Sequence, residues 1–146
     1  MNKKIWIGFI VVYIVLQLCD YLIHVVVLGP TYDWLMRTAP GLYRPEGMKV
    51  YIFFITSIFF SFFFVYIFSK GYEGKGVVEG IRYGFYIALM VLLPAAYAEY
   101  AMHPIPYSVG LKWFLLGTVE YVIAGAVLAM LFGGSKKQSG PAAPTP

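Results

Sequence analysis

The sequence predicts an all-α fold, an up-down-up-down four-helix transmembrane bundle with both termini cytoplasmic. Three observations predict it. Apolar runs at residues 5–28, 50–68, 77–102 and 109–132 are each long enough to cross a hydrocarbon core of ~30 Å as an α-helix rising ~1.5 Å per residue. The chain is 60% hydrophobic and only 12% charged, against about 25% charged in soluble domains, so 146 residues cannot hide their apolar surface from water. Lysine and arginine divide unevenly between the two faces. Lys3, Lys4, Lys70, Lys75, Arg82, Lys136 and Lys137 fall on one side and Arg37, Arg44, Lys49 and Lys112 on the other, and the richer side is expected to be cytoplasmic.

The first span begins after Met1-Asn2-Lys3-Lys4, a start that imitates a signal peptide. Its apolar run is too long and lacks an Ala-x-Ala-like cleavage site, so an uncleaved helix is expected. Cys19 follows Leu16-Gln17-Leu18, but the bulky Leu18 stands where lipoprotein processing wants a small residue. An unmodified thiol is expected, and a single cysteine excludes an internal disulfide.

The connection at 29–49 places Pro30, Pro40, Gly41 and Pro45 among Tyr32, Trp34, Leu35, Met36 and Tyr43. That mixture suits a segment in the outer headgroup layer, with one short helix starting at Thr31 or Asp33, acting as a lid or a strap. The second span carries the small residues Ser57 and Ser61. Residues 70–76 form a Gly-rich turn, and Pro104 and Pro106 stop the chain again at 103–108. Such short turns make successive helices antiparallel neighbours.

Helices in lipid associate through close packing, which small residues permit. The third span has Gly76, Gly80, Gly84 and Ala88 at intervals of four, and the fourth has Gly117, Gly125 and Ala129. These are expected to form a packing ridge, within one chain or between copies. Pro94 removes one hydrogen bond from the third span and should bend it. Residues 1–132 thus make one transmembrane domain, and 133–146, rich in Gly, Pro, Ser and Lys, a disordered cytoplasmic tail. Trp6, Tyr66 and Tyr72 inside, and Tyr51, Tyr97, Tyr100, Tyr107 and Trp113 outside, collect where the helix ends meet the headgroups.

Ionisable residues in an apolar span need a partner, water or a neutral state. Glu79 and Arg82 can pair at a spacing of three or snorkel to the cytoplasmic interface. In the outer half, Asp20 with His24 and Glu99 with His103 each set a carboxylate one turn from an imidazole. From the predicted spans, Asp20 lies ~5 Å, His24 ~11 Å and Glu99 ~14 Å beyond the midplane. The four could hold a divalent metal such as zinc. Alternatively Gln17, Asp20 and Glu120 form a proton relay leading inward. A third alternative is structural pairing, with Glu99 salt-bridged to Lys112 and Asp20 bonded locally to His24.

No Gly-x-Ser-x-Gly elbow, phosphate-cradling Gly-Lys-Ser/Thr loop or cofactor fingerprint occurs, so no catalytic residue and no cofactor are assigned. The net charge of +4 sits in loops and tails, without a basic stripe interleaved with aromatics. Lipid is the expected partner and nucleic acid is not.

The stretch Leu22-Ile23-His24, then Leu28-Gly29-Pro30-x-Tyr32 and Leu35-Met36-Arg37, resembles the first-loop region of a group of small, uncharacterised bacterial four-span membrane proteins. Gly80-Ile-Arg-Tyr-Gly84, Pro104-Ile-Pro106 and Trp113 are similar to that group's third and fourth helices. The resemblance covers nearly all of the chain except the tail. It implies a bacterial inner-membrane location and no transferable activity. Three readings follow. The first is a non-enzymatic packing or accessory protein, as a homo-oligomer or in a larger membrane complex. The second is a small transporter or sensor using the outer-half Asp/His/Glu/His cluster for protons or a divalent metal. The third is a membrane enzyme acting on lipid.

Overall fold

The computed structural model describes residues 3–42 and 46–133. The expectations for Met1, Asn2, Tyr43, Arg44, Pro45 and the tail from residue 134 lie outside the described residues. Helix α1 (Lys3–Asp20) runs without a break into a π-helical segment, Tyr21–Val27. It is followed by α2 (Gly29–Thr38), α3 (Val50–Gly71), α4 (Val77–Met102) and α5 (Tyr107–Gly133). Among the described residues all regular structure is helical. The short helix of the first connection starts at Gly29, earlier than expected, because Pro30 lacks only an N–H that a first helical turn leaves unused.

The four long helices are each long and apolar enough to cross a membrane. Yet at most 33% of the most apolar stretch of any of them is buried. Ile10, Ile14 and Leu18 on α1, Phe59 and Phe63 on α3 and Met90 on α4 all point outward. So much exposed apolar surface is stable only where lipid replaces water.

What is buried lies in two groups. The larger core joins Val12 and Leu16 of α1, Phe64, Val65 and Phe68 of α3, and Ala124, Leu128 and Ala129 of α5. It lies near the end of the molecule where α1 begins and α5 finishes, the terminal end, where the Lys4 ammonium meets the Phe132 carbonyl at 3.4 Å. The smaller core lies at the opposite end. Leu35 of α2 is buried there with Ile105 and Val109, and Tyr32, Leu42 and Trp113 pack around them. Helix α2 is thereby fastened over the turn between α4 and α5.

Helices α4 and α5 form the closest pair. A Cβ added at Gly80 would strike the Gly125 carbonyl oxygen and come within 2.6 Å of the Ala129 Cβ. One added at Gly84 would strike the Tyr121 carbonyl oxygen and come within 2.9 Å of the Val122 Cα. Farther along, Gly117 faces the Leu92 side chain and Gly110 the Ala96 carbonyl. The pairing therefore runs in opposite directions along the two helices. Ala88 is fully buried. Gly76 differs from the rest of the predicted ridge, since it precedes α4 as its N-cap at φ +78° and has open space around it. Its absent side chain serves the turn.

The turn itself is organised by Glu79, which is buried. Its Oε1 accepts from the Glu73 amide at 2.6 Å and its Oε2 from the Lys75 amide at 2.8 Å. Glu79 is the third residue of α4, and it reaches back past the N-cap much as the acidic residue of a capping box does. Among the described residues no ion pair joins it to Arg82, so the expected spacing-of-three pair gives way to backbone capping. The carboxylate satisfies two amides that would otherwise lose solvent.

Candidate functional site

A cavity of about 550 Å³ lies between all four long helices. Leu16, Phe60 and Tyr121 form its floor, where they also border the larger core. The Phe60 and Tyr121 rings stack there with centroids 4.8 Å apart. Asp20 and His24 reach the cavity from the first span, Glu99 from α4, and Glu120 and Trp113 from α5. Helix α3 contributes Phe53, Thr56, Ser57 and Phe60, none of them ionisable.

These side chains reach one space because their spacings suit helices. Leu16, Asp20 and His24 follow at intervals of four on one strip of the first span, and Trp113, Gly117 and Glu120–Tyr121 do so on α5. The strip of α1 is altered partway by the π-helical winding, seen in the Leu28 amide bonding to the Ile23 carbonyl five residues back at 2.8 Å. This changes what a spacing of four means. In α4, where winding is regular, the His103 Nδ1 lies 2.9 Å from a Glu99 carboxylate oxygen. Across the π-helical junction, the His24 Nε2 stands 3.8 Å from Asp20, beyond hydrogen-bond distance. A wider turn shifts residue 24 from directly above residue 20.

His24 instead engages α2. Its Nδ1 lies 2.6 Å from the Tyr32 hydroxyl, and the two rings stack. The Trp113 indole donates to the same hydroxyl at 2.8 Å. An indole nitrogen only donates, so the hydroxyl accepts from Trp113 and its own proton is available to His24 Nδ1. In that arrangement the remaining ring proton is on Nε2, facing Asp20. Trp113, Tyr32, His24 and Asp20 thus form a polar line across the rim of the cavity. From the sequence, Tyr32 and Trp113 are expected as aromatics of the headgroup layer and as part of the resemblance, with no contact between them. Tyr32 lies 81 residues from Trp113 in the chain, and no local spacing signals that they meet.

Glu120 is the most enclosed of the acidic groups, only 5% exposed, and it lines the cavity. Among the described residues it has neither a hydrogen-bond partner nor an ion pair. Lys112 is exposed, and among the described residues it makes no salt bridge to Glu99, whose carboxylate is beside His103. His103 is the C-cap of α4 in an extended conformation, as expected for a residue before proline, and does not line the cavity. Gln17 does not line it either. The structure therefore gathers Asp20, His24, Glu99 and Glu120 around one space and leaves Gln17 and His103 outside. Among the described residues, no three His, Cys, Asp or Glu side chains are grouped to hold a metal ion.

The cavity is walled unevenly. Among the described residues, the ring contacts and hydrogen bonds between α3 and α4 involve only Tyr83 with Phe64 and Phe68, toward the terminal end. Beyond them, Phe53 and Thr56 on α3 and Ala95, Ala98 and Glu99 on α4 line the cavity while remaining exposed. The cavity is open along that side.

No protein-family model, curated protein or solved structure matches the chain. It is an all-helical protein with four candidate membrane spans.

Proposed function

We propose that the chain is a non-enzymatic, multi-pass protein of a bacterial inner membrane, an up-down-up-down four-helix bundle with both termini cytoplasmic, working as a small transporter or sensor of protons or cations. One observation carries this reading: Asp20, His24, Glu99 and Glu120, from three helices, line a single cavity between the spans. Each ionisable group in the apolar layer costs a few kcal/mol or more. Four around a common space suit a site that exchanges charge with its surroundings. Protons or a monovalent cation fit it better than a shared divalent metal, because no close group of three ligands is present among the described residues.

The accessory or homo-oligomeric reading draws less support. Gly80 and Gly84 face α5 of the same chain, so contact between copies would have to use the outward apolar faces.

Trp113 provides the test, since it lines the cavity and bonds to the hydroxyl beside His24. In protein carrying Trp6→Phe and Trp34→Phe, reconstituted in nanodiscs, emission is expected to change sigmoidally between about pH 5 and 8. The groups facing the site are Asp20 and His24 from the first span, Tyr32 from α2, Glu99 from α4, and Glu120 and Tyr121 from α5. His24→Gln should move or abolish the transition. A flat profile, or one unchanged in both His24→Gln and Glu120→Gln, would overturn the proposal.

A further inference from the structure

We infer that the cavity binds a hydrophobic organic cation, a positive ammonium-like or phosphonium centre on an apolar body, admitted from the bilayer between α3 and α4. The inference rests on the cation-responsive reading above and names its ligand class. Sign comes first. The lining holds three carboxyl groups and one imidazole, with no lysine or arginine, so an anion would find no permanently cationic partner and three acidic neighbours.

The second observation is Glu120, about nineteen-twentieths buried at 5% exposure, lining the cavity and unpartnered among the described residues. Its carboxyl oxygens meet the open space of the cavity instead of a protein donor, and a cation seated against them would supply that interaction. A small hydrated ion is a poorer fit, because most of the remaining wall is apolar or aromatic. Phe53, Phe60, Trp113 and Tyr121 are among the lining residues, and aromatic rings attract cations and cover apolar groups together. The volume of about 550 Å³ lies within the ~300–1,000 Å³ typical of sites for drug-sized molecules.

The route follows from the open side. Helices α3 and α4 touch through Tyr83 toward the terminal end, and cavity-lining residues on both are exposed beyond it. An amphiphile dissolved in the bilayer therefore reaches the carboxyl groups laterally. An ammonium of this kind has two sources, a free hydrophobic amine or the headgroup of an aminophospholipid.

The experiment measures binding of tetraphenylphosphonium to the full chain in dodecyl maltoside, a detergent with no ammonium group. Saturable binding is expected, weakening as pH falls because protons compete for the same carboxyl groups. Glu120→Gln, which keeps the side chain's shape, should weaken it on the order of 30-fold. Glu73→Gln, in the exposed turn, should leave it unchanged. Added phosphatidylethanolamine displaces the probe if the lipid headgroup is the natural occupant. Failure to displace, with phosphatidylglycerol equally inert, assigns a free amine. Absence of saturable binding in wild-type protein that keeps its Trp113 pH transition would overturn this inference alone. Binding unaffected by both Glu120→Gln and pH would overturn it as well. Loss of the pH transition itself would strike the underlying reading.

Discussion

Glu73 in the turn before α4 and Glu79 in its first turn, six residues apart, find their partners by different means. The Glu73 carboxylate is exposed, and its hydrogen bond and ion pair with Lys75 hold it below the usual carboxylate range. A depressed folded value contributes stability above the unfolded titration range, and this is lost as pH falls through the folded one. Water screens so exposed a pair, so the contribution is slight. Glu79 is buried and bonded to two backbone amides, and hydrogen bonds to a charged group are worth about 1.5–3 kcal/mol. Glu79→Ala should therefore cost about 2 kcal/mol, lowering the melting temperature in detergent, while Glu73→Ala should leave it within error. Equal melting of the two variants would refute the capping role.

At the scale of elements, the α4–α5 pair depends on the absence of side chains at three positions, Gly80, Gly84 and Gly125. A methyl at Gly80 or Gly84 meets backbone, which cannot move without separating the helices. A methyl at Gly117 meets the end of the Leu92 side chain at 2.8 Å, which can rotate away. Gly84→Ala should thus destabilise by about 1–3 kcal/mol or more, and Gly117→Ala by clearly less. Thermal melting of the two purified variants checks the order, and a reversal would mean that the helices are not held this closely. The spacing of four between Gly80 and Gly84 is visible in the sequence, whereas Gly76, at the same interval, lies in the turn before α4. The π-helical winding at Tyr21–Val27 was not legible. Its β-branched and apolar residues suit a lipid-facing α-helix equally well, and it is the contact of His24 with Tyr32 that marks the altered register.

For the whole molecule, the proposed orientation makes a prediction independent of the cavity. With Cys19 replaced by serine, single cysteines placed at Lys3 and in the tail at Ser139 should both be shielded from a membrane-impermeant maleimide in intact cells. One at Gly47, in the connection after α2, should react. Opposite labelling of the two ends would dismiss the up-down-up-down arrangement. The imbalance of lysine and arginine supports the predicted side. The meeting of Lys4 with Phe132 is consistent with ends that lie together.

Length and hydropathy by themselves determined the helical class and the four candidate spans, because a continuous apolar run has few ways to satisfy its backbone in lipid except as a helix. They also singled out Asp20, His24, Glu99 and Glu120, since charge stands out against such a background. Which of these share a space was decided by tertiary structure alone. Helical spacing fixes a residue's neighbours on its own helix, but not the rotation of that helix against others. Rotation and packing bring Glu120 to Asp20's cavity, leave His103 at a cap, and lay Tyr32 between His24 and Trp113.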